Sequence, residues 1–321
     1  MYRKIMGFLE AWKENEHRKP LILQGARQVG KTYSILEFGR THYENVAYFN
    51  FETNPKLNET FEEKISPDYL IPILSHIAGQ TIVKEKTLIV FDEVQLCERA
   101  LTSLKYFCED APDYHIIVAG SLLGVAVNRA KFSFPVGKVD MKTLYPMDME
   151  EFMIAVGEDE LVEQIKKCFE TNRPMPSALH DAAMQLYRQY LVVGGMPECV
   201  MQFVQTGDYI LIRHTQDTIL TSYLNDMSKY NNLNEIKKTR LAYDNITVQL
   251  SKKNTRFQYK LIKKGGRASE FENAIEWLCL SGIVSQVYRV EQIKKPLENY
   301  RDIDAFKIYV SDLGLLCAKK D

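Results

Sequence analysis

The chain is poor in the residues that would announce several common kinds of protein. Its 321 residues hold only six cysteines, Cys97, Cys108, Cys168, Cys199, Cys279 and Cys317, with no C-x-x-C pair and no histidine at metal-ligand spacing. That argues against a disulfide framework or a zinc site and fits reduced intracellular thiols. The six histidines, His17, His42, His76, His115, His180 and His214, form no H-E-x-x-H pattern and no legible nucleophile pair, so no chemistry is assigned to them. The longest apolar stretch, residues 116–127, is about twelve residues long and contains Gly120, Ser121 and Gly124. A membrane helix needs ~20. The first residues carry too few apolar side chains before Glu10, Lys13 and Glu14 to read as a signal peptide, so a cytoplasmic protein without a membrane segment is expected. With 16 Gly, 11 Pro and no low-complexity tract or internal repeat, neither a disordered chain nor a repeat array fits. The net charge of −1 excludes a uniformly basic nucleic-acid coat and leaves polyanion affinity to a local patch.

What is present is an ordinary globular composition, 45% hydrophobic and 26% charged, with room for about two domains of ~150 residues. In the first half, short apolar runs alternate with helix-like segments. This pattern predicts α/β architecture: a parallel sheet of about five strands with flanking helices, the strands at 21–24, 46–51, 88–91, 115–119 and 139–144. From Pro146 the character changes. Asp148, Glu150, Glu151, Glu158, Asp159, Glu160 and Glu163 open an acidic, helix-rich stretch to about Tyr190, read as a helical lid. Gly194-Gly195-Met196-Pro197 interrupts it before one or two further helices reach Tyr230. Three domains are expected, a nucleotide-binding core at 1–146, the lid at 147–230 and a small basic domain at 231–321.

Residues 231–270 carry ten basic side chains (Lys237, Lys238, Arg240, Lys252, Lys253, Arg256, Lys260, Lys263, Lys264 and Arg267) against three acidic ones, Glu235, Asp244 and Glu270. Helix-like 235–250, 256–262 and 270–280 precede β-like 283–290 and 306–310. Three helices followed by a two-stranded wing predict a winged-helix-like α+β domain. Its basic segment is either a DNA-phosphate contact or a solvated helical surface, and such domains also contact proteins.

The strongest motif is Gly25-Ala26-Arg27-Gln28-Val29-Gly30-Lys31-Thr32, which fits G-x-x-x-x-G-K-[ST] between a predicted strand and a predicted helix. Glycines let the backbone curl so that N–H groups face phosphate oxygens, and the helix adds its positive end. Lys31 is expected to bridge the β and γ phosphates of ATP, and Thr32 to place its hydroxyl on Mg²⁺. Some sixty residues on, Leu88-Ile89-Val90-Phe91-Asp92-Glu93 is an apolar strand ending in two acids. Strand ends of this kind form the ligand edge of open α/β sheets. Asp92 is expected to hold Mg²⁺ through water, and Glu93 to orient and deprotonate the attacking water.

A third apolar strand ends at Ser121, which either touches the γ-phosphate or lytic water, or caps a helix beginning at Leu122. Arg129 is either an arginine finger for a neighbouring subunit or a solvated surface residue. The eighteen tyrosines are dispersed and read as half-buried packing sites. No Asn-Lys-x-Asp element marks a guanine reader: Gly137-Lys138-Val139-Asp140 lacks the Asn and precedes its strand. A small-molecule kinase would have less need of Glu93. The reading is therefore a Mg²⁺-dependent ATPase, catalytic through Lys31, Glu93 and Ser121. The alternatives are a nucleotide-gated DNA- or protein-binding module with little turnover and an assembly protein that ATP locks without hydrolysis.

Together, the phosphate loop, Phe91-Asp92-Glu93-Val94-Gln95, Ala119-Gly120-Ser121, Pro146 with Glu150-Glu151-Phe152, Gly194-Gly195-Met196-Pro197 and Ser311-Asp312-Leu313-Gly314-Leu315 resemble a large prokaryotic family of AAA-type ATPases. The resemblance spreads over nearly the whole chain. It implies an ATPase core, a helical lid and a winged-helix-like segment, and in that family a nuclease-related domain usually follows. Here the sequence stops soon after Asp312-Leu313-Gly314, so the basic domain is read as shortened and no nuclease activity is expected. Where the family commonly has Gly-Arg, this chain has Gly137-Lys138. Lysine lacks arginine's planar fork, which removes a bidentate phosphate contact there.

Overall fold

The computed structural model describes residues 1–121, 135–230, 233–253 and 256–320. The chain divides into two compact units, one of Arg3–Tyr145 and one of Met1–Tyr2 with the chain from Pro146 onward.

In the first unit the apolar runs become strands β1 (Leu21–Gly25), β2 (Asn45–Asn50), β3 (Thr87–Asp92), β4 (His115–Ser121) and β5 (Asp140–Thr143). Every neighbouring pair is parallel, in the order β2-β3-β4-β1-β5. The expected five-stranded sheet therefore forms, each strand within two residues of its expected ends. Strand β3 is buried at every position, which is why its sequence is an unbroken apolar run. At the edge, β2 alternates: Ala47 and Phe49 face the core while Tyr48 is exposed. Helices α1 (Ile5–Glu14), α2 (Lys31–His42), α3 (Leu57–Glu63), α4 (Pro67–Ala78) and α5 (Glu98–Asp110) flank the sheet. Phe49, Phe51, Phe61 and Phe91 pack together at ring separations between 5.7 and 5.9 Å, behind the acidic end of β3.

The second unit is mostly helical: α6 (Met149–Ala155), α7 (Asp159–Glu170), α8 (Ser177–Val193), α9 (Pro197–Thr206), α10 (Tyr209–Tyr230), α11 (Leu233–Leu250), α12 (Tyr259–Ile262), α13 (Ala268–Leu280) and α14 (Leu313–Ala318). Its only strands among the described residues are an antiparallel pair, β6 (Val284–Val290) and β7 (Arg301–Val310). A capping box starts α6, the Asp148 carboxylate accepting from the Glu151 N–H at 2.9 Å and the Glu151 carboxylate from the Asp148 N–H at 3.2 Å. Two of the sequence's glycine motifs meet here. The buried Asp312 carboxylate accepts the Gly195 N–H at 2.6 Å and the Leu315 N–H at 2.8 Å. At Gly195 a Cβ would lie 1.9 Å from the Met147 carbonyl oxygen, so only glycine fits.

Two expectations need correction. The helix expected at 256–262 is only the single turn α12, because the Phe257 N–H donates to the Phe306 carbonyl at 2.8 Å and the two rings stack. Strand β7 begins at Arg301, not 306; a register shift beside Tyr288 and Arg289 accommodates residues whose charges hid the strand pattern. Among the described residues no helix is long and apolar enough to cross a membrane.

Candidate functional site

The phosphate loop joins β1 to α2. At Gly25 a Cβ would sit 2.3 Å from the Leu144 carbonyl oxygen, so the loop can leave the sheet here only through glycine. Gln28 and Gly30 both have positive φ, 64° and 91°, and between them Val29 is fully buried. The chain therefore turns sharply before α2 begins at Lys31, its unpaired first N–H groups and positive dipole end at the loop. Ala26 is buried and Arg27 half-buried.

Arg3, buried at the start of the first unit, fastens this loop. Its guanidinium donates to the Val29 carbonyl at 2.9 Å and to the Tyr145 carbonyl at 2.8 Å. The Lys31 ammonium folds back onto the loop, donating to the Gly25 carbonyl at 3.0 Å and the Ala26 carbonyl at 2.8 Å. Burial lowers its pKa to about 8, against the opposing pull of Glu93 and Asp92, with Arg27 adding to the lowering.

Across the sheet edge, β3 ends in the buried Asp92. The Thr32 hydroxyl donates to Asp92 Oδ2 at 2.9 Å, so the helix start and the acidic strand end meet directly although β4 separates their strands. The Glu93 N–H donates to Asp92 Oδ1 at 3.0 Å. Glu93 itself is in the left-handed region, φ 53°, and its carboxylate accepts from the Gln95 amide. This strained turn takes Glu93 out of the strand direction beside Asp92. Ser121 ends β4 in register with Gly25, which sets it at the same carboxyl edge. Arg129 and Leu122 lie outside the described residues. Lys138 pairs with Glu109 at 2.9 Å.

The structure thus brings together 25–32, Asp92, Glu93 and Ser121. Sequence reading missed three neighbours, Arg3, Tyr48 and Asn50. The Tyr48 hydroxyl donates to Asp92 Oδ2 at 2.7 Å and accepts from the Asn50 amide at 3.1 Å. Burial beside Asp92 pushes the Tyr48 phenol up to about 12. The alternation of β2 put Tyr48 and Asn50 on one face, but only its pairing with β3 shows what that face meets. Among the described residues there is no group of three or more His, Cys, Asp or Glu able to hold a metal, so any metal here must rest on few protein ligands. A hydroxyl and a carboxylate in contact are hard oxygen donors of the kind Mg²⁺ takes while keeping most of its waters.

These features match known proteins at the level of a domain and a fold. Residues 17–153 match the family model of an AAA domain. That stretch includes the whole phosphate loop, Asp92, Glu93 and Ser121, so the loop and the acidic strand end both lie within the matched segment. Residues 184–321 match a domain of unknown function (DUF8612). Among solved structures, the chain is similar to the Walker-type ATPase PABY2304 of Pyrococcus abyssi, with 14% identity, 100% of this chain and 96% of that one covered, and a TM-score of 0.60. That likeness is one of fold alone, the flanked parallel sheet of P-loop NTPases. Weaker likenesses are to the Aeropyrum pernix ORC1 protein in complex with DNA (13% identity, 99% and 90% covered, TM-score 0.33) and to the Thermotoga maritima RuvB Holliday junction branch migration motor (14%, 88% and 87%, 0.37). No curated protein matches the chain.

Proposed function

We propose that the AAA domain binds ATP with Mg²⁺ and hydrolyses it. The observation that carries this reading is the Thr32–Asp92 hydrogen bond, which ties the phosphate loop to the acidic strand end with Glu93 beside it. In this reading the N–H groups of 25–32 hold the phosphates and the Lys31 ammonium turns from its loop carbonyls to the β and γ phosphates. Thr32 and Asp92 hold Mg²⁺, Asp92 through water. Bound there, Mg²⁺ would supply positive charge to offset that of the phosphates. Glu93 orients a water and takes its proton while the water oxygen bonds to the γ-phosphorus and the bond to the β-phosphate oxygen breaks. Ser121, at the same edge, contacts the γ-phosphate or that water.

The test is phosphate release from ATP by the purified chain with and without Mg²⁺. Lys31→Ala should lose nucleotide binding, and Glu93→Gln should bind ATP but turn over at least a hundredfold more slowly. Full turnover in Glu93→Gln would remove that residue from the mechanism.

The helical segment from Pro146 and the winged-helix-like arrangement of α11 to β7 are proposed to carry the nucleotide-driven change to a partner. A second reading, a nucleotide-gated binder of DNA with little turnover, is supported by one feature. Lys237, Lys252, Lys253, Lys260, Lys264 and Arg267 are exposed and engage no acidic side chain among the described residues, whereas Lys238 and Lys263 pair with Glu235 and Glu270. A cytoplasmic location, a protein partner and a homo-oligomer belong to the same proposal.

A further inference from the structure

Tyr48 has little packing reason to be where it is. It sits on the edge strand β2 and is 38% exposed, while the core face of that strand is filled by Ala47 and Phe49. Its hydroxyl is nevertheless fixed from both sides. The Asn50 side-chain oxygen, Oδ1, accepts the backbone N–H groups of Glu52 and Thr53, each at 2.9 Å, which turns the Asn50 NH₂ toward the Tyr48 oxygen. With its oxygen accepting from Asn50, the phenol must give its proton to Asp92 Oδ2. Thr32 donates to that same oxygen, and the Glu93 N–H takes a position on Oδ1. Of the roughly four acceptor positions of a carboxylate, three are thus filled by the protein, and both on Oδ2 are taken.

We infer that Tyr48, oriented by Asn50, is a positioning residue for the metal. It saturates Asp92 Oδ2, so that Asp92 serves Mg²⁺ only through Oδ1 and a metal-bound water. Thr32, having given its proton to Asp92, keeps its oxygen lone pairs for the ion. Removing the hydroxyl frees one Oδ2 position and lets the carboxylate rotate, and outer partners of metal-holding carboxylates typically govern 10–100-fold in metal affinity. This inference rests on the reading of Thr32 and Asp92 as the metal-facing pair.

The experiment is calorimetric titration of ADP into the full chain, in Mg²⁺ and in EDTA, for the parent, Tyr48→Phe and Asp92→Asn. It reads binding and does not depend on turnover. The parent and Asp92→Asn test the underlying pair: the parent should bind ADP more tightly in Mg²⁺, and Asp92→Asn should lose that gain. Tyr48→Phe should bind ADP in EDTA within twofold of the parent but lose about tenfold of the Mg²⁺-dependent gain. A Tyr48→Phe chain with the parent's full gain, or one weakened equally in EDTA and Mg²⁺, overturns the inference while leaving the pair intact. A parent that gains nothing from Mg²⁺ overturns both.

Discussion

Lys31 is the residue at which chemistry and environment pull hardest against each other. Its ammonium must be charged to meet phosphate, yet burial lowers its pKa from 10.5 to about 8. Above that pH the free protein carries a neutral Lys31, and nucleotide binding must take up a proton. ATP affinity is therefore expected to be flat below pH 8 and to fall by up to tenfold per unit above it. Titrations in buffers of different ionisation heat would detect the proton. The stability of the free chain runs the other way. The unfolded lysine holds its proton to about pH 10.5, so between pH 8 and 10.5 the unfolded state binds more protons and stability rises with pH. Lys31→Met should abolish that rise in melting experiments. The loop residues were legible in the sequence because their backbone demands glycine at Gly25 and Gly30 and their chemistry demands lysine and threonine. Arg3, Tyr48 and Asn50 were not. Arg3 and Tyr48 act through partners 26 and 44 residues away, which only strand register or tertiary packing supplies, and Asn50 acts through Tyr48.

Elements were legible where burial writes a pattern. A fully buried parallel strand such as β3 reads as a continuous apolar run. The capping box at Asp148 and Glu151 marks a helix start by local hydrogen bonding alone. Asp148→Ala should lower stability by about 1 kcal/mol in thermal or denaturant unfolding. The element contact at Asp312 should matter more. Asp312→Ala leaves the buried N–H groups of Gly195 and Leu315 without their acceptor, an expected loss of about 2–4 kcal/mol, and Gly195→Ala should match or exceed it. Equal melting temperatures for Asp312→Ala and the parent would contradict the assigned role. The start of β7 escaped sequence reading because the charges of Arg301, Asp302 and Asp304 hide its strand pattern, and the short α12 because a distant contact decides it. Phe257 bonds and stacks with Phe306, a partner far along the chain, and this outweighs the local helical preference of 256–258. Helix α14 follows from Asp312 as its N-cap, a signal too brief to mark an element unaided.

For the whole molecule, the net charge of −1 and the exposed cations of 237–267 together predict how any DNA binding must behave. Binding driven by six lysine and arginine side chains should weaken about a thousandfold between 50 and 200 mM salt if all six engage phosphates, with Lys260→Glu and Lys264→Glu reducing the slope. Affinity that is indifferent to salt would contradict a phosphate-driven contact. The central claim concerns the other unit, where one sheet edge gathers Gly25 to Thr32, Asp92 and Glu93. Its most direct test is phosphate release from ATP by the parent chain, Lys31→Ala and Glu93→Gln, each with Mg²⁺ and with EDTA. The account predicts turnover in the parent with Mg²⁺ alone, and in Glu93→Gln tight ATP binding with turnover reduced at least a hundredfold. Metal-independent turnover, or parent-level turnover in either variant, would contradict it.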